Sequence, residues 1–504
     1  MTKKVSIIGA GPGGLTSAMI LANQGYDVTV FEKQDYIGGR TSSFTLNNYT
    51  FDLGPTFLMM DYILKEIFEN TGRDLEDYID IKEIDPLYRL VFKGKREFYP
   101  TRDQQVMVKE IEEMFPGNGE GYKKFMKKEK EKFEKLIPCL QVPYGRRRDF
   151  LTKRFLRSIG YLDAHISLYD KLGEYFNDDD LKIAFTFQSK YLGMSPWECP
   201  GTFSILSYIE HGGGIYHVMG GLNQITKAMA KVVEEEGGEI KLSTAVDKVI
   251  IENGKAIGVK LENGDIEYSD HVVLNADFAH AMNNLVEDKH KKKYTNKKLE
   301  EKKYSCSTFM LYLGVDKIYD IPHHNIIFSD DYKKNVDEIT KYKILSEDPS
   351  IYIQNASVSD SSLAPEGKST IYVLVPVANN SGNINWKEEK SKLREKVLDI
   401  MENKAGLKDI REHIEVERII TPIEWEEEKD VYRGAVFNLA HNVGQMLYFR
   451  PHNEFEEFEN CYLVGGGTHP GSGLPTIFES GKISSKLIMK KDGIKVKEKV
   501  TSKA

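Results

Sequence analysis

The first 32 residues constrain this chain more than any other part of it. Val5-Ser6-Ile7-Ile8 is a short apolar run, and Gly9-Ala10-Gly11-Pro12-Gly13-Gly14 follows it. Leu15, Ala18, Met19 and Ala22 then recur at helical spacing, and Tyr26 to Phe31 forms a second strand that ends at Glu32. The order strand, turn, helix, strand, acid opens a parallel sheet with a crossover helix. Gly9, Gly11 and Gly14 hold the glycine positions of G-x-G-x-x-G, where they allow a tight turn, close approach of backbone to a pyrophosphate and close helix packing. Pro12 and Gly13 complete the turn, and the helix start faces the phosphates with unpaired N–H groups. Glu32 stands where an acid accepts ribose hydroxyls and repels a 2′-phosphate. Glycine turns also close purely structural βα units; the acid at the end of the second strand favours a nucleotide.

Glu32-Lys33-Gln34-Asp35-Tyr36-Ile37-Gly38-Gly39-Arg40 narrows that nucleotide to FAD. It resembles the E-x5-G-G-R segment of glutathione-reductase-like flavoproteins, in which the acid, the following residue (Lys33 here), the second glycine (Gly39) and the arginine all serve the cofactor. Arg40 can lie along the pyrophosphate as a fixed cation. Asp52-Leu53-Gly54-Pro55-Thr56 resembles the turn of the amine-oxidase-like branch that comes close to the flavin ring, which makes Gly54, Pro55 and Thr56 candidates for that contact.

A chain of 504 residues exceeds a single compact core, so two or three domains are expected. A net charge of -8 argues against nucleic acid as a main partner. Cys139, Cys199, Cys306 and Cys461 lie far apart, with neither a disulfide framework nor a zinc spacing, which fits a reducing, cytoplasmic setting. No run reaches the roughly 18 apolar residues needed to span a bilayer, and the N-terminus does not read as a signal peptide. His165, His211, His271, His323 and His324 form no metal-ligand spacing and read as surface or core histidines.

The expected organisation is discontinuous: an FAD-binding domain from 1–74, 212–290 and 431–492, a helical substrate and membrane-contact region at 75–211, a substrate-domain sheet at 291–430, and a flexible tail at 493–504. Short alternating strands at 240–242, 246–251, 256–261 and 271–274 read as part of the FAD domain; the resemblance to flavoproteins implies that Val246 lies near the adenine. Within 75–211, Gly145 to Leu162 would as one helix place Leu151, Phe155, Ile159 and Leu162 on one face and Arg146, Arg147, Lys153, Arg154 and Arg157 opposite. That arrangement suits an anionic membrane surface, and equally a helix packed on its own core with a solvated basic face.

Late in the chain, Asn460 to Ser480 reads N-C-Y-L-V-G-G-G-T-H-P-G-S-G-L-P-T-I-F-E-S. This closely resembles the C-terminal signature of bacterial and fungal type phytoene desaturases, the carotenoid desaturases, including those acting on C30 diapophytoene. The likeness extends through the Glu32 to Arg40 segment, Gly54-Pro55-Thr56 and Gly220-Gly221-Leu222. It implies a glutathione-reductase-like/amine-oxidase-like FAD-binding Rossmann domain (α/β) with an α+β substrate domain and a helical membrane-facing part. It also implies that Gly466, Gly467, Thr468, Leu474 and Pro475 form the second half of the FAD site. The expected reaction introduces conjugated double bonds into phytoene or diapophytoene, with oxygen or a quinone as final acceptor and a catalytic base that no spacing identifies. The expected location is the inner face of the cell membrane, peripherally bound. Related flavoproteins isomerise, saturate or terminally oxidise polyenes, and escort-type isoprenoid carriers share the architecture with a degraded flavin cradle; the intact cradle here disfavours the carrier.

Overall fold

The computed structural model describes residues 2–494. The tail expected from 493 therefore lies, from 495 on, outside the described residues. Two sheets organise the molecule. The first is parallel and five-stranded, in the order Cys461–Leu463, His271–Leu274, Lys4–Ile8, Asp27–Phe31 and Glu239–Lys241. Its strands are short, and apart from the edge strand Glu239–Lys241 they are largely apolar because both faces are covered. The helices Pro12–Asn23, Leu474–Lys491 and Asn223–Glu235 share one core with it, built around Val5, Ile7, Leu15, Val30, Ile225, Val273 and Phe478. A three-stranded antiparallel meander, Val246–Glu252, Lys255–Leu261 and Ile266–Tyr268, follows the fifth strand.

The second sheet has seven strands in the order Ile414–Ile420, Ser307–Val315, Ser369–Val377, Ile351–Asn355, His324–Ile327, Arg89–Val91 and Glu97–Phe98. Ser307–Val315 is buried along its whole length because the two faces of the sheet do different work. Phe309, Leu311, Leu313, Val373 and Val375 pack with the helix Trp386–Asn403 through Leu393, Val397 and Met401. The alternate residues Thr308, Met310, Tyr352, Tyr372 and Leu374 line a cavity on the opposite face.

Two expectations are corrected here. Residues 89–98, inside the stretch expected to be helical, supply the last two strands of this sheet. Arg89-Leu90-Val91 is too short a run to form a helix, and it pairs in parallel with Asn325–Ile327. Gly145 to Leu162 is not one helix either: a 3-10 turn Arg147–Leu151, a helix Lys153–Ser158 and a further turn Ile159–Tyr161 share it. Thr152 breaks the run by capping the short helix with its hydroxyl, which accepts from Phe155 N. Phe155 turns inward against Tyr144 and Phe150, and the residues left facing solvent are Leu151, Leu156 and Ile159, at 74%, 52% and 50% exposure. No helix among the described residues is long and apolar enough to cross a membrane.

Candidate active site

Two neighbouring cavities share part of their walls. The first, about 560 Å³, is lined by Gly9, Gly11, Pro12, Glu32, Lys33, Gly39, Arg40, Val246 and Gly466, so nine of the residues chosen from sequence meet around one space. The second, about 290 Å³ and apolar, is lined by Gly54, Pro55, Thr56, Leu474 and Pro475 together with the exposed face of the seven-stranded sheet. Arg40, Thr41, Gly466 and Ile477 belong to both walls.

Local sequence explains the first cavity. Gly9 turns with φ +97, a region that favours glycine. The helix Pro12–Asn23 begins at the cavity with no side-chain cap and a proline in its first turn, so its N–H groups face the opening. Glu32 is fixed at the strand end because its two carboxylate oxygens accept from Ala10 N (2.8 Å) and Gln34 N (2.9 Å). Arg40 donates to Val436 O (2.7 Å); burial presses its guanidinium below the ordinary arginine range, and nearby Asp277 opposes that. Burial pushes Asp277 up in turn, against the pull of Arg40. Lys33 pairs with Asp430 across the cavity mouth.

Gly13, Gly14, Gly467 and Thr468 do not line either cavity. A Cβ on Gly14 would strike Gly9 O and lie 2.8 Å from Asn275 Nδ2, and one on Gly13 would lie 2.9 Å from Asn275 Oδ1. Their smallness lets the turn close on Asn275, whose amide donates to Gly9 O (2.9 Å). A Cβ on Gly467 would strike Phe278 and lie 3.0 Å from Asn438, so that glycine makes room for protein. Thr468 is buried and donates to Pro451 O (2.6 Å).

Sequence reasoning missed three residues. Asn275 follows the strand His271–Leu274, and only the pairing of that strand with Lys4–Ile8 brings it to the glycine turn. Asp277 arrives the same way. Arg450 lies in a loop with no recognisable pattern, yet it is fully buried and holds the glycine segment from behind. It donates to Thr468 O (3.0 Å), Gly466 O (2.6 Å), Gln445 O (3.2 Å) and Leu439 O (3.2 Å).

The second cavity is capped by the turn at Gly54 to Thr56, held on the sheet by Tyr312 OH to Leu53 O (2.5 Å), Tyr372 OH to Gly54 O (2.7 Å) and the contact between Thr56 Oγ1 and Tyr352 OH (2.7 Å). The helix Leu474–Lys491 begins at this cavity after Gly473, again without a side-chain cap. Lys190 also reaches the wall, where burial lowers its ammonium to about 7. An uncapped helix start, a ribose-type acid and a fixed arginine on one wall fit a dinucleotide, and an apolar room beside its far end fits a ring system and an apolar substrate.

Comparison with known proteins agrees with this geometry. Residues 12–489 match the family model of flavin containing amine oxidoreductases. The chain is 50% identical over 497 residues to a 4,4'-diapophytoene desaturase (4,4'-diapolycopene-forming) from a Methylomonas species, covering 99% of this chain and 97% of that one. The chain belongs to the carotenoid desaturase branch of the flavin-containing amine oxidoreductases. It is also 36% identical over 490 residues to a zeta-carotene-forming phytoene desaturase of Myxococcus xanthus, covering 97% and 94% of the two chains. An oxidoreductase of solved structure from Methanosarcina mazei shares the fold, with a TM-score of 0.63 at 19% identity over 97% of this chain and 100% of that one. As a member of this family the chain is an FAD-dependent oxidoreductase.

Proposed function

We propose that the chain desaturates 4,4'-diapophytoene, a C30 polyene, extending its conjugation step by step. The observation that carries this reading is that the apolar cavity shares the wall residues Arg40, Thr41, Gly466 and Ile477 with the cofactor-side cavity. The 50% identity to a desaturase of that polyene favours C30 over C40, since the phytoene desaturase from Myxococcus stands at 36%. Bound FAD supplies a hydride acceptor for an allylic carbon. The chain holds it through Gly9, Gly11, Pro12, Glu32, Lys33, Gly39, Arg40, Val246 and Gly466, with Gly13, Gly14, Gly467 and Thr468 shaping the turns behind. Gly54, Pro55, Thr56, Leu474 and Pro475 border the room where the polyene meets the ring, and the two uncapped helix starts stabilise negative charge on the cofactor.

Expression in cells that make either C40 phytoene or C30 diapophytoene, followed by pigment analysis, tests the reading. Coloured C30 products alone are expected; colour only in the C40 strain would overturn the chain-length assignment, and colourless extracts from both would overturn desaturation.

The polyene reaches the protein from a bilayer, and we place the enzyme peripherally on the inner face of the cell membrane. Support comes from Leu151, Leu156, Ile159 and Phe449, all exposed, beside the exposed Arg146, Arg147, Arg148 and Arg157. Apolar side chains among cations suit an anionic headgroup layer. Oxygen or a membrane quinone is the electron acceptor that fits such a location.

A further inference from the structure

Each new double bond costs the polyene a hydride, which the flavin takes, and a proton, which has to reach water. Among the described residues the wall of the apolar cavity holds no aspartate, glutamate or histidine. It does hold Tyr352, whose hydroxyl lies 2.7 Å from Thr56 Oγ1 and 2.8 Å from His324 Nδ1. Tyr352 stands opposite Ile326 in the sheet, so His324, two residues along, shares its face. Behind them the rings of His324 and His323 are 4.4 Å apart, and those of His323 and His217 are 4.8 Å apart. His217 Nε2 lies 3.0 Å from Asp360 Oδ2, and Asp360 Oδ1 accepts from the hydroxyl of the exposed Ser362 (2.6 Å). A continuous file of polar side chains therefore runs from the cavity wall to the surface.

We propose that Tyr352, His324, His323, His217 and Asp360 are the proton exit of the enzyme, with Tyr352 receiving the proton from the polyene; this rests on the desaturation reading above. The C–H bond next to the hydride-donating carbon breaks, and its electron pair becomes the new C=C bond. The proton goes to the Tyr352 oxygen as the phenolic proton moves to His324 Nδ1. The polyene has lost two electrons, which leave with the hydride to the flavin; Tyr352 ends unchanged and His324 ends protonated. The two departures are coupled: as the hydride leaves, the neighbouring C–H becomes strongly acidic, and a positioned phenol that takes its proton lowers the barrier for both.

The environment suits transfer outward. Burial holds His324 down to about 3 and His323 well below the usual range, so both rest neutral. His324 Nε2, His323 Nδ1 and His217 Nδ1 are buried without a hydrogen-bond partner among the described residues, so each ring keeps one nitrogen that no other group holds. At the outer end burial works against charge on Asp360, but His217, Ser362 and the Gly220 N–H hold it far below the carboxylate range, so it stays a fixed negative charge at the end of the file. Lys190, the other candidate base on the wall, lies over the Tyr332 ring (4.6 Å) and is joined to no such file among the described residues.

The test follows flavin bleaching when the FAD-loaded enzyme, in phosphatidylglycerol-containing liposomes, is mixed anaerobically with 4,4'-diapophytoene. Tyr352→Phe and His324→Asn, the latter keeping an acceptor near Nδ1 that takes no proton, are expected to slow bleaching on the order of 10²-fold at saturating polyene, with KM and flavin content unchanged. His217→Asn, remote from the cavity, is expected to slow the same step. A second readout needs no turnover: in flavin-free protein at pH 7, 15N spectra are expected to show His324 neutral, with bare Nδ1 and protonated Nε2. Wild-type bleaching rates in both Tyr352→Phe and His324→Asn, dependence on Lys190 instead, or a His324 protonated at Nδ1 would overturn the proposal. A wild-type enzyme that is not bleached by the polyene would instead remove the desaturation reading, and the exit with it.

Discussion

Arg450 shows what one buried side chain can decide. Its guanidinium satisfies four backbone carbonyls, two of them in the glycine segment that closes the cofactor cavity, and burial lowers it only to about 9, so it remains a cation. Arg450→Met would leave those carbonyls without donors, at a cost of about 3 kcal/mol or more. The expected result is a lower Tm together with a reduced flavin-to-protein absorbance ratio. Gly14→Ala acts on the opposite wall by driving a methyl group into Gly9 O and Asn275. Overpacking there should cost about 1–3 kcal/mol and loosen flavin binding, readable as release of flavin during gel filtration. Gly467→Val should also shed flavin, by pushing the loop off Phe278 and Asn438, with no direct collision with the cofactor. The glycines were legible in the sequence as a class. Their individual partners were not, because Asn275, Phe278 and Asn438 come from segments that only folding brings to them.

At the scale of elements, the last helix is tied down by charge as well as by apolar packing. Lys482, buried on Leu474–Lys491, lies 3.0 Å from both Glu66, on the helix Asp61–Asn70, and Glu479. Gln141, just past the helix Gly119–Leu140, donates to Glu479 at 3.0 Å. Lys482→Ala removes the buried ammonium that Glu66 and Glu479 share, and a loss of about 3–5 kcal/mol is expected by denaturant unfolding. Replacing Glu66, Glu479 and Lys482 together by apolar residues of similar volume should recover much of that loss. The helix itself is legible in the spacing of apolar residues from Ile477 to Met489, with Pro475 in its first turn. Its neighbours were hidden, since Gln141 and Glu66 lie more than 300 residues away. The short strands Arg89–Val91 and Glu97–Phe98 were hidden for a related reason: two or three residues carry no readable period, and the edge of an existing sheet makes them strands.

At the scale of the whole molecule, the exposed Leu151, Leu156 and Ile159 stand close in sequence to the exposed Arg146, Arg147 and Arg148. Cosedimentation with anionic liposomes is expected for the wild-type chain and strongly reduced for a variant carrying Leu151→Ser, Leu156→Ser and Ile159→Ser. Neutralising Arg146, Arg147 and Arg154 should weaken binding further and flatten its salt dependence; binding indifferent to both sets would remove this face from the bilayer. The basic cluster was visible in the sequence. Its shape was not, because the run that reads as one amphipathic helix is broken at Thr152, which turns Phe155 inward and Leu156 outward.

The sequence by itself determined the cofactor half of this protein. A strand, a glycine turn, an uncapped helix and an acid are local chemistry, settled within some 30 neighbouring residues, and the glycine-rich segment near residue 470 names the family because its backbone has to follow one path. Tertiary structure alone decided the substrate half. The floor of the apolar cavity is one face of a sheet drawn from strands between residues 89 and 420, and the file from Tyr352 through three histidines to Asp360 exists only where that sheet meets His217, from the separate strand Tyr216–Val218, and the turn at Asp360. Period-two alternation says that a strand has two faces; which of them meets a cavity depends on what packs against the other, and here the helix Trp386–Asn403 covers that other face.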